Sequence, residues 1–228
     1  MPVRHDLPLA LDADMVLRGQ GADPAVVRGR SRSLVTIAEQ ALEAARPLIA
    51  PAVLFRVVEV EGMRHERLSL EGGGQLSGTL VAQHLGGARR VALALCTIGA
   101  ALEDHAAEVM EDDPSLGLAL DGCGSAAAET LANSACNLFE SMAAEAGEQA
   151  TLPLSPGMIG WPIEIGQPEL LALIDAAEIG VRVFPSGMMH PRKSVSFVVG
   201  MGRDVAAGGR ACDFCNLRET CSYHDHFA

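Results

Sequence analysis

Apolar residues recur at helical spacing in three long stretches of the chain, 31–49, 101–110 and 116–147. The first can be capped by a serine near its start. The third is the longest and is rich in alanine, which makes a narrow helix that can lie close to a sheet. Its glycines Gly122 and Gly124 are candidate break points. The pattern therefore predicts three substantial helices, the last of them dominant.

Shorter runs of β-branched and apolar residues lie between these helices. Residues 91–96 form a continuous apolar run, which is typical of a strand buried on both faces. A turn at Glu61-Gly62 would separate the first two strands. The predicted strands are 53–60, 67–70, 91–96, 181–184 and 194–199.

Proline and glycine punctuate the rest of the chain. The first 30 residues contain several of both and predict an extended arm with one short helix. Residues 78–86 predict another short helix. Pro168 suits the first turn of a further helix, and Gly180 suits its C-terminal cap.

Composition and charge exclude several classes of function. The chain has 228 residues and a formal net charge of −12, which argues against nucleic acid and against an anionic membrane surface, because both attract clustered Lys and Arg. No apolar run is long enough to span a bilayer, and the N-terminus lacks the apolar core of a signal peptide. We therefore expect a cytoplasmic protein.

The stretch LSPGMIGWP at 154–162 is dense in turn-forming residues and holds the one tryptophan of the chain. Exposed backbone groups in such a turn can receive a small ligand, although a tight turn with the tryptophan capping the core explains these residues equally well. An Arg-Lys pair downstream can meet an anionic group, although a solvated strand entry also explains it. The candidate binding residues are Ser155, Pro156, Gly157, Met158, Gly160, Trp161, Arg192 and Lys193.

The C-terminal tail carries Cys212, Cys215 and Cys221 in a C-x2-C-x5-C spacing. Two thiolates separated by two residues can grip one metal or cluster from a single turn. The segment before them has the composition of a linker. The sequence thus predicts a main domain over 1–202 and a metal- or cluster-binding tail over 203–228.

Three thiolates without an evident fourth ligand favour an iron–sulfur cluster, which tolerates another ligand at its fourth iron. Structural zinc is the alternative and needs a fourth ligand such as His224, His226 or a distant cysteine. A tail without metal is the third. Cys96, Cys123 and Cys136 have apolar or small neighbours and are predicted to be core thiols, with Cys123 as the best distant fourth ligand.

Five segments of the chain carry a family resemblance: VALALCTIGAALED (91–104), LDGCGSAAAETLA (120–132), SPGMIGWP (155–162), LLALIDAAEIGV (170–181) and SGMMHPRKSVSFVVGMG (186–202). In this order they resemble the activation domain of cobalamin-dependent methionine synthase. The chain is more similar still to stand-alone relatives of that domain that end in a C-x2-C-x5-C tail. The resemblance runs from about Met15 to Tyr223.

The resemblance implies an α+β fold in which a twisted antiparallel sheet is flanked by helices, one of them long. In the synthase the domain binds S-adenosylmethionine and docks on the cobalamin-carrying domain, where it supports reductive methylation of cobalt in the inactive Co(II) state. The resemblance therefore implies a corrinoid (cobalamin-binding) protein as partner, such as a methyltransferase subunit. The anionic group that Arg192 and Lys193 can meet would then be a corrinoid side chain or an acidic partner surface.

The chain departs from the family at the turn, which reads R-x-x-P-G-Y in the synthase. Pro153 and Met158 stand at the arginine and tyrosine positions. Because proline offers no donor to a carboxylate, this departure argues against the usual pose of S-adenosylmethionine. The favoured function is a stand-alone partner that reactivates or methylates corrinoid cobalt. The alternatives are a non-catalytic docking or scaffold subunit with a structural metal, or a split methionine synthase subunit that binds S-adenosylmethionine.

Overall fold

A computed structural model of the protein describes residues 1–206, 210–215 and 219. The α-helices are α1 (Ala13–Gly19), α2 (Pro24–Arg30), α3 (Arg32–Ala45), α4 (Thr79–Leu85), α5 (Ala101–Asp112), α6 (Pro114–Glu145) and α7 (Ile163–Leu171). The strands are β1 (Val3–Arg4), β2 (Ala52–Arg64), β3 (Arg67–Leu70), β4 (Gly74–Ser77), β5 (Arg90–Thr97), β6 (Gln149–Ala150), β7 (Arg182–Val183), β8 (Met189–His190) and β9 (Ser194–Gly202). Short 3-10 helices cover Arg46–Leu48, Ala176–Ile179 and Ala211–Phe214. None of the helices in these ranges is long and apolar enough to cross a membrane.

Seven of the strands form one antiparallel sheet, in the order β4-β3-β2-β5-β9-β6, with β1 also paired to β2. β2 is long because different parts of it pair with β5 and with β3, besides its short pairing with β1. Its first part, Ala52–Glu59, pairs with β5, and its last part, Val60–Arg64, pairs with β3. β7 and β8 pair separately. The predicted α+β architecture of an antiparallel sheet with flanking helices is confirmed.

The sheet separates two apolar cores. Helices α1, α3, α5 and α6 supply the core on one face, and α4, α7 and the loop with Trp161 supply the core on the other. β5 contributes to both, with Ala92 and Ala94 on the α6 side and Leu93 and Leu95 on the α4 side. Small residues on the first side allow α6 to lie close to the sheet, because protein interiors are closely packed.

Helix α6 is continuous over 32 residues and is capped by Asp113, whose side chain accepts hydrogen bonds from the first turn. The predicted break near Gly122 and Gly124 is wrong. A Cβ on Gly19 of α1 would collide with the backbone of Gly122, so these glycines let two helices touch at their backbones. Gly124 leaves room for the side chain of Lys193. Here glycine serves packing and does not end the helix.

Several local predictions are wrong. The β2–β3 turn lies at His65-Glu66 and not at Glu61-Gly62, which stays within β2 at an irregularity of the register. The first 30 residues form two helices, where one was predicted. Pro168 lies inside α7 and not in its first turn. Gly180, with φ of 71°, does cap a helix, but a short 3-10 helix that is separate from α7.

Candidate functional site

The turn over residues 155–161 folds around Trp161, which is 0% exposed. The indole lies against two glycines, Gly78 before α4 and Gly166 in α7. A Cβ on Gly166 would collide with the ring, and a Cβ on Gly78 would collide with the Gly160 carbonyl and crowd the ring. Gly157 and Gly160 have φ values of +100° and +87°, a backbone conformation that glycine adopts without strain. Trp161 thus lies in the core, which agrees with the tight-turn alternative for this residue.

Most backbone groups of the turn bond within the protein. The Gly157 N–H donates to the Trp161 carbonyl at 2.8 Å, and the Met158 N–H donates to the Ser155 carbonyl at 3.2 Å. The Gly160 carbonyl accepts from the Leu80 N–H at 3.2 Å. The Ser155 N–H lies 3.1 Å from the Met158 sulfur. The turn is therefore a closed structure, anchored to the start of α4.

The segment 210–215 of the tail contacts this turn. The Ile159 N–H donates to the Phe214 carbonyl at 2.8 Å, and the Phe214 ring packs against the core on the α4 side. That ring also meets His84 of α4, with centroids 4.7 Å apart. Phe214 lies between Cys212 and Cys215 in the sequence, so the described part of the tail is brought beside the 155–161 turn.

Cys212 and Cys215 bracket a single 3-10 turn, closed by a hydrogen bond from the Cys215 N–H to the Cys212 carbonyl at 3.2 Å. Side chains three residues apart in such a turn lie on the same side, as a pair of ligands to one metal must. Across residues 1–206, 210–215 and 219, no three His, Cys, Asp or Glu side chains are grouped as a metal site. Cys221, His224 and His226 lie outside the described residues.

The other cysteines lie in the core on the opposite face of the sheet. Cys96 and Cys123 are buried and Cys136 is partly buried, as predicted for core thiols. Burial raises the pKa of Cys123 and of Cys136 to about 12. Cys123 shares that core and not the one that Phe214 contacts, which leaves it on the wrong side of the sheet to serve the tail as a fourth ligand.

Lys193 and Arg192 do not face the turn together. The Lys193 Nζ lies 2.9 Å from the Asp121 carboxylate and 2.8 Å from the Ser125 hydroxyl, both on α6, and its side chain is 15% exposed. The Lys193 side chain therefore lies on the α6 side of the sheet, whereas Trp161 lies in the core on the α4 side. Arg192 is exposed, and its backbone N–H donates to Glu103 at 2.7 Å.

Glu103 of α5 positions the segment before β9, a role that the sequence did not indicate. It is buried, and besides Arg192 it contacts the His190 ring, whose Nδ1 lies 3.2 Å from the carboxylate. One carboxylate thus holds both ends of the segment that leads into β9. Since its partners are more than eighty residues away in the sequence, no local pattern could have revealed this role.

Apolar side chains are exposed at the 155–161 turn, on α7 and in the β7–β8 connection. Ile159 is 52% exposed at the turn itself, and Ile165 of α7 is also exposed. Phe184 and Met188, in the β7–β8 connection, are exposed as well. Phe184 and α7 line a groove of about 400 Å³. Four exposed apolar side chains on these neighbouring segments are typical of a surface that contacts a partner.

Comparison with known proteins supports the fold. No protein-family model matches the chain, and no curated protein matches it. The crystal structure of the MetH reactivation domain bound to AdoHcy is similar to this chain with a TM-score of 0.59, over 94% of this chain and 83% of that one, at 11% sequence identity. The two folds are alike. At this identity the similarity establishes the architecture alone. A function like that of the MetH reactivation domain can only be proposed for this chain.

Proposed function

We propose that this protein is a stand-alone partner in a cobalamin-dependent methyltransfer system. It docks on a corrinoid protein and supports the reductive reactivation or methylation of its cobalt. The likeness to the MetH reactivation domain supports this function. The observation that carries it is the hydrogen bond between Ile159 and Phe214, because it holds the Cys212–Cys215 turn beside the 155–161 turn.

Cys212 and Cys215, with Cys221 beyond the described residues, would hold an iron–sulfur cluster, or zinc, in this arrangement. A bound cluster supplies a one-electron relay between an external reductant and Co(II). The protein's own contribution is positioning. Phe214 packs against the core and holds the cysteine turn over 212–215, so that this turn does not have to be ordered when the partner arrives.

The docking surface would be the exposed apolar side chains at the turn and on α7. Ile159 is the central residue of this surface, since it is exposed and its backbone holds the tail. Leu118 of α6 offers a matched control, because it is 50% exposed, close to the 52% of Ile159, and belongs to a helix on the opposite face of the sheet.

The test is anaerobic purification of the tagged chain from its native cells, followed by assay of the eluate for corrinoid. We expect corrinoid to co-purify with the wild type and with Leu118→Asp, and to be lost with Ile159→Asp. Visible absorption and EPR of the same samples report a cluster in the tail. Absence of corrinoid from the wild type, or equal loss from both variants, would contradict the proposal.

A non-catalytic docking or scaffold subunit is the second candidate, and the closed turn favours it. Because most of the 155–161 backbone groups bond within the protein, few are left to receive a methyl donor. In this function the tail would hold zinc as a structural ion. Stoichiometric zinc in a colourless protein that still retains corrinoid would select this candidate over the first.

A split methionine synthase subunit that binds S-adenosylmethionine is the third candidate. The MetH reactivation domain was crystallised with AdoHcy, but in this chain Pro153 and Met158 replace the family's arginine and tyrosine. The Met158 sulfur already contacts the Ser155 N–H. Calorimetric titration decides the matter, since saturable heat with S-adenosylmethionine would revive this function and its absence at millimolar ligand would remove it.

A further inference from the structure

The β2–β3 hairpin carries a basic pair whose position is unusual. β2 ends at Arg64 and β3 begins at Arg67, and the register places the two arginines directly opposite each other. Like charges directly opposite on neighbouring strands are destabilising. Neither guanidinium has an ion-pair partner in the part of the chain that the structure describes. The pair is therefore a cationic site without a structural counter-ion.

The two arginines line a cavity of about 640 Å³. This volume is within the range of small-molecule sites in proteins. The hairpin forms one wall, the β4–α4 junction at Ser77–Thr79 forms another, and Gly160, Pro162 and Ile165 complete the lining. The cavity thus adjoins the 155–161 turn through Gly160.

Hydrogen bonds hold these walls together. The Gly78 N–H donates to the Glu66 carbonyl at 2.8 Å, which joins the junction to the hairpin. The Thr79 hydroxyl donates to the Gly160 carbonyl at 3.3 Å, which joins the junction to the turn. A ligand would meet walls that are already fixed, and pre-organisation of this kind lowers the free-energy cost of binding.

Ser77 supplies an unused hydroxyl in this lining. Its backbone N–H donates to the Glu169 carboxylate at 2.7 Å, whereas its Oγ is buried and has no hydrogen-bond partner within the described residues. A buried polar atom without a partner destabilises a protein. Rotation of this side chain toward the cavity would bring the hydroxyl to a ligand oxygen and give it a partner, so Ser77 is an independent sign that the cavity accepts a polar ligand.

The opposite wall is apolar. Pro162 and Ile165 are exposed there, so a ligand would meet hydrocarbon on that side. On the hairpin side it would meet two arginines against one carboxylate, Glu66, with His65 beside them, so that wall stays cationic. The net charge of −12 repels anions from the rest of the surface. The cavity therefore selects a molecule with an anionic head and a less polar body.

We propose that this cavity binds an organic phosphate of about nucleotide size. Arg64 and Arg67 hold the phosphate oxygens, since guanidinium groups match phosphate geometry, and the Ser77 hydroxyl donates to a third oxygen. Pro162 and Ile165 contact the body of the ligand. The site lies outside the set of residues assigned to corrinoid docking except for Ile165, and it stands whether or not the protein reactivates cobalt.

The test is calorimetry of the full chain at low ionic strength, with ADP, adenosine and inorganic phosphate as probes. We expect ADP to bind, and the double variant Arg64→Gln/Arg67→Gln to weaken it by at least about tenfold, as expected for the loss of charge-assisted hydrogen bonds. Arg30→Gln/Arg32→Gln is the matched control, because it removes the same charge from two exposed arginines elsewhere. Ser77→Ala is expected to weaken ADP by a smaller factor.

Four outcomes would overturn the proposal. These are no saturable heat with ADP, equal loss in both double variants, adenosine binding as tightly as ADP, and inorganic phosphate binding as tightly as ADP. The last would show that the apolar wall contributes nothing. Circular dichroism checks that each variant is folded. Should the arginine variant fail to fold, Ile165→Glu places a negative charge at the cavity from an exposed position, and retention of ADP by that variant would equally contradict the site.

Discussion

The imidazole of His84 and the phenyl ring of Phe214 meet edge to face, with centroids 4.7 Å apart and ring planes at 81°. His84 is 8% exposed, and neither of its ring nitrogens has a hydrogen-bond partner among the residues described. An aromatic ring from the tail thus covers an unsatisfied polar ring of α4. This contact, with the hydrogen bond from Ile159, determines where the cysteine turn lies.

The first prediction concerns His84 and acid. Burial lowers the pKa of His84, so the folded state favours the neutral ring. The stability gained by burying the neutral His84 ring is complete above the ordinary histidine pKa of about 6.5. It is lost as the pH falls toward the lower pKa that His84 has in the folded state. We expect the melting temperature of wild type to fall between pH 7.5 and pH 5, roughly the window in which histidine titrates, and His84→Leu to reduce that fall.

The same substitution is expected to raise stability at neutral pH by about 1 kcal/mol, because it removes two buried atoms that lack partners. His105→Leu is the control, since His105 lies on α5 and is half-exposed. An unchanged pH dependence in His84→Leu would show that the contact with Phe214 is not sensitive to the charge of His84.

The second prediction concerns the crossing of α1 and α6. Gly19→Ala places a methyl group into the backbone of Gly122 and is expected to destabilise the protein by about 2 kcal/mol or more, as overpacking does. Gly29→Ala, in exposed α2 with open space around it, is expected to stabilise by up to about 1 kcal/mol, the difference in helix propensity. Urea denaturation of both variants measures the contrast, and similar effects at the two sites would exclude direct backbone contact between the helices.

The third prediction concerns Glu129 on α6. Burial raises the pKa of this carboxyl, and it has no hydrogen bond or ion pair within the described residues. The ionised form is therefore unfavourable in the folded state, and the penalty grows as the pH rises through and above the ordinary pKa. Glu129→Gln is expected to raise the melting temperature at pH 7 but not below about pH 4, where both states bind the proton. Glu140→Gln, an exposed acid on the same helix, is expected to change little at either pH.

The fourth prediction concerns the tail. Cys215→Ser is expected to abolish the metal or cluster content of anaerobically purified protein, because it removes one thiolate of the C-x2-C pair. Cys136→Ser, at a core thiol on the other face of the sheet, is expected to leave that content unchanged. Elemental analysis gives the measurement. Equal metal content in both variants would show that the tail cysteines are not the ligands.

The sequence predicted most of the elements because their patterns are local. β5 is a continuous apolar run, and α6 is a long alanine-rich repeat of helical spacing, so each could be assigned without knowing its neighbours. The break predicted at Gly122 was wrong because this glycine allows α1 to cross α6 at close range. The sequence of α6 alone does not show that another helix crosses it. Pro168 lies inside α7, although the sequence favoured a helix start there.

The candidate site was predicted only in part, for the same physical reason. The 155–161 turn was found from its own glycines and proline. The adjacent Arg192 and Lys193 gave no sign in the sequence that Lys193 bonds to Asp121, more than seventy residues earlier. His84 was one of seven scattered histidines, and its meeting with Phe214 depends on how the tail returns to α4. Contacts of this range are set by the fold and not by spacing.

The chain has one tryptophan, and it lies wholly inside the turn on which both the tail and the proposed docking surface depend. Ultraviolet emission excited at the red edge of the protein spectrum therefore comes from a single known position. Loosening of the tail, arrival of a corrinoid with its strong visible absorption, or melting of the α4–α7 core would each alter that emission through quenching, energy transfer or a shift in wavelength. The protein thus carries its own optical reporter, and binding at the turn can be followed in unlabelled material.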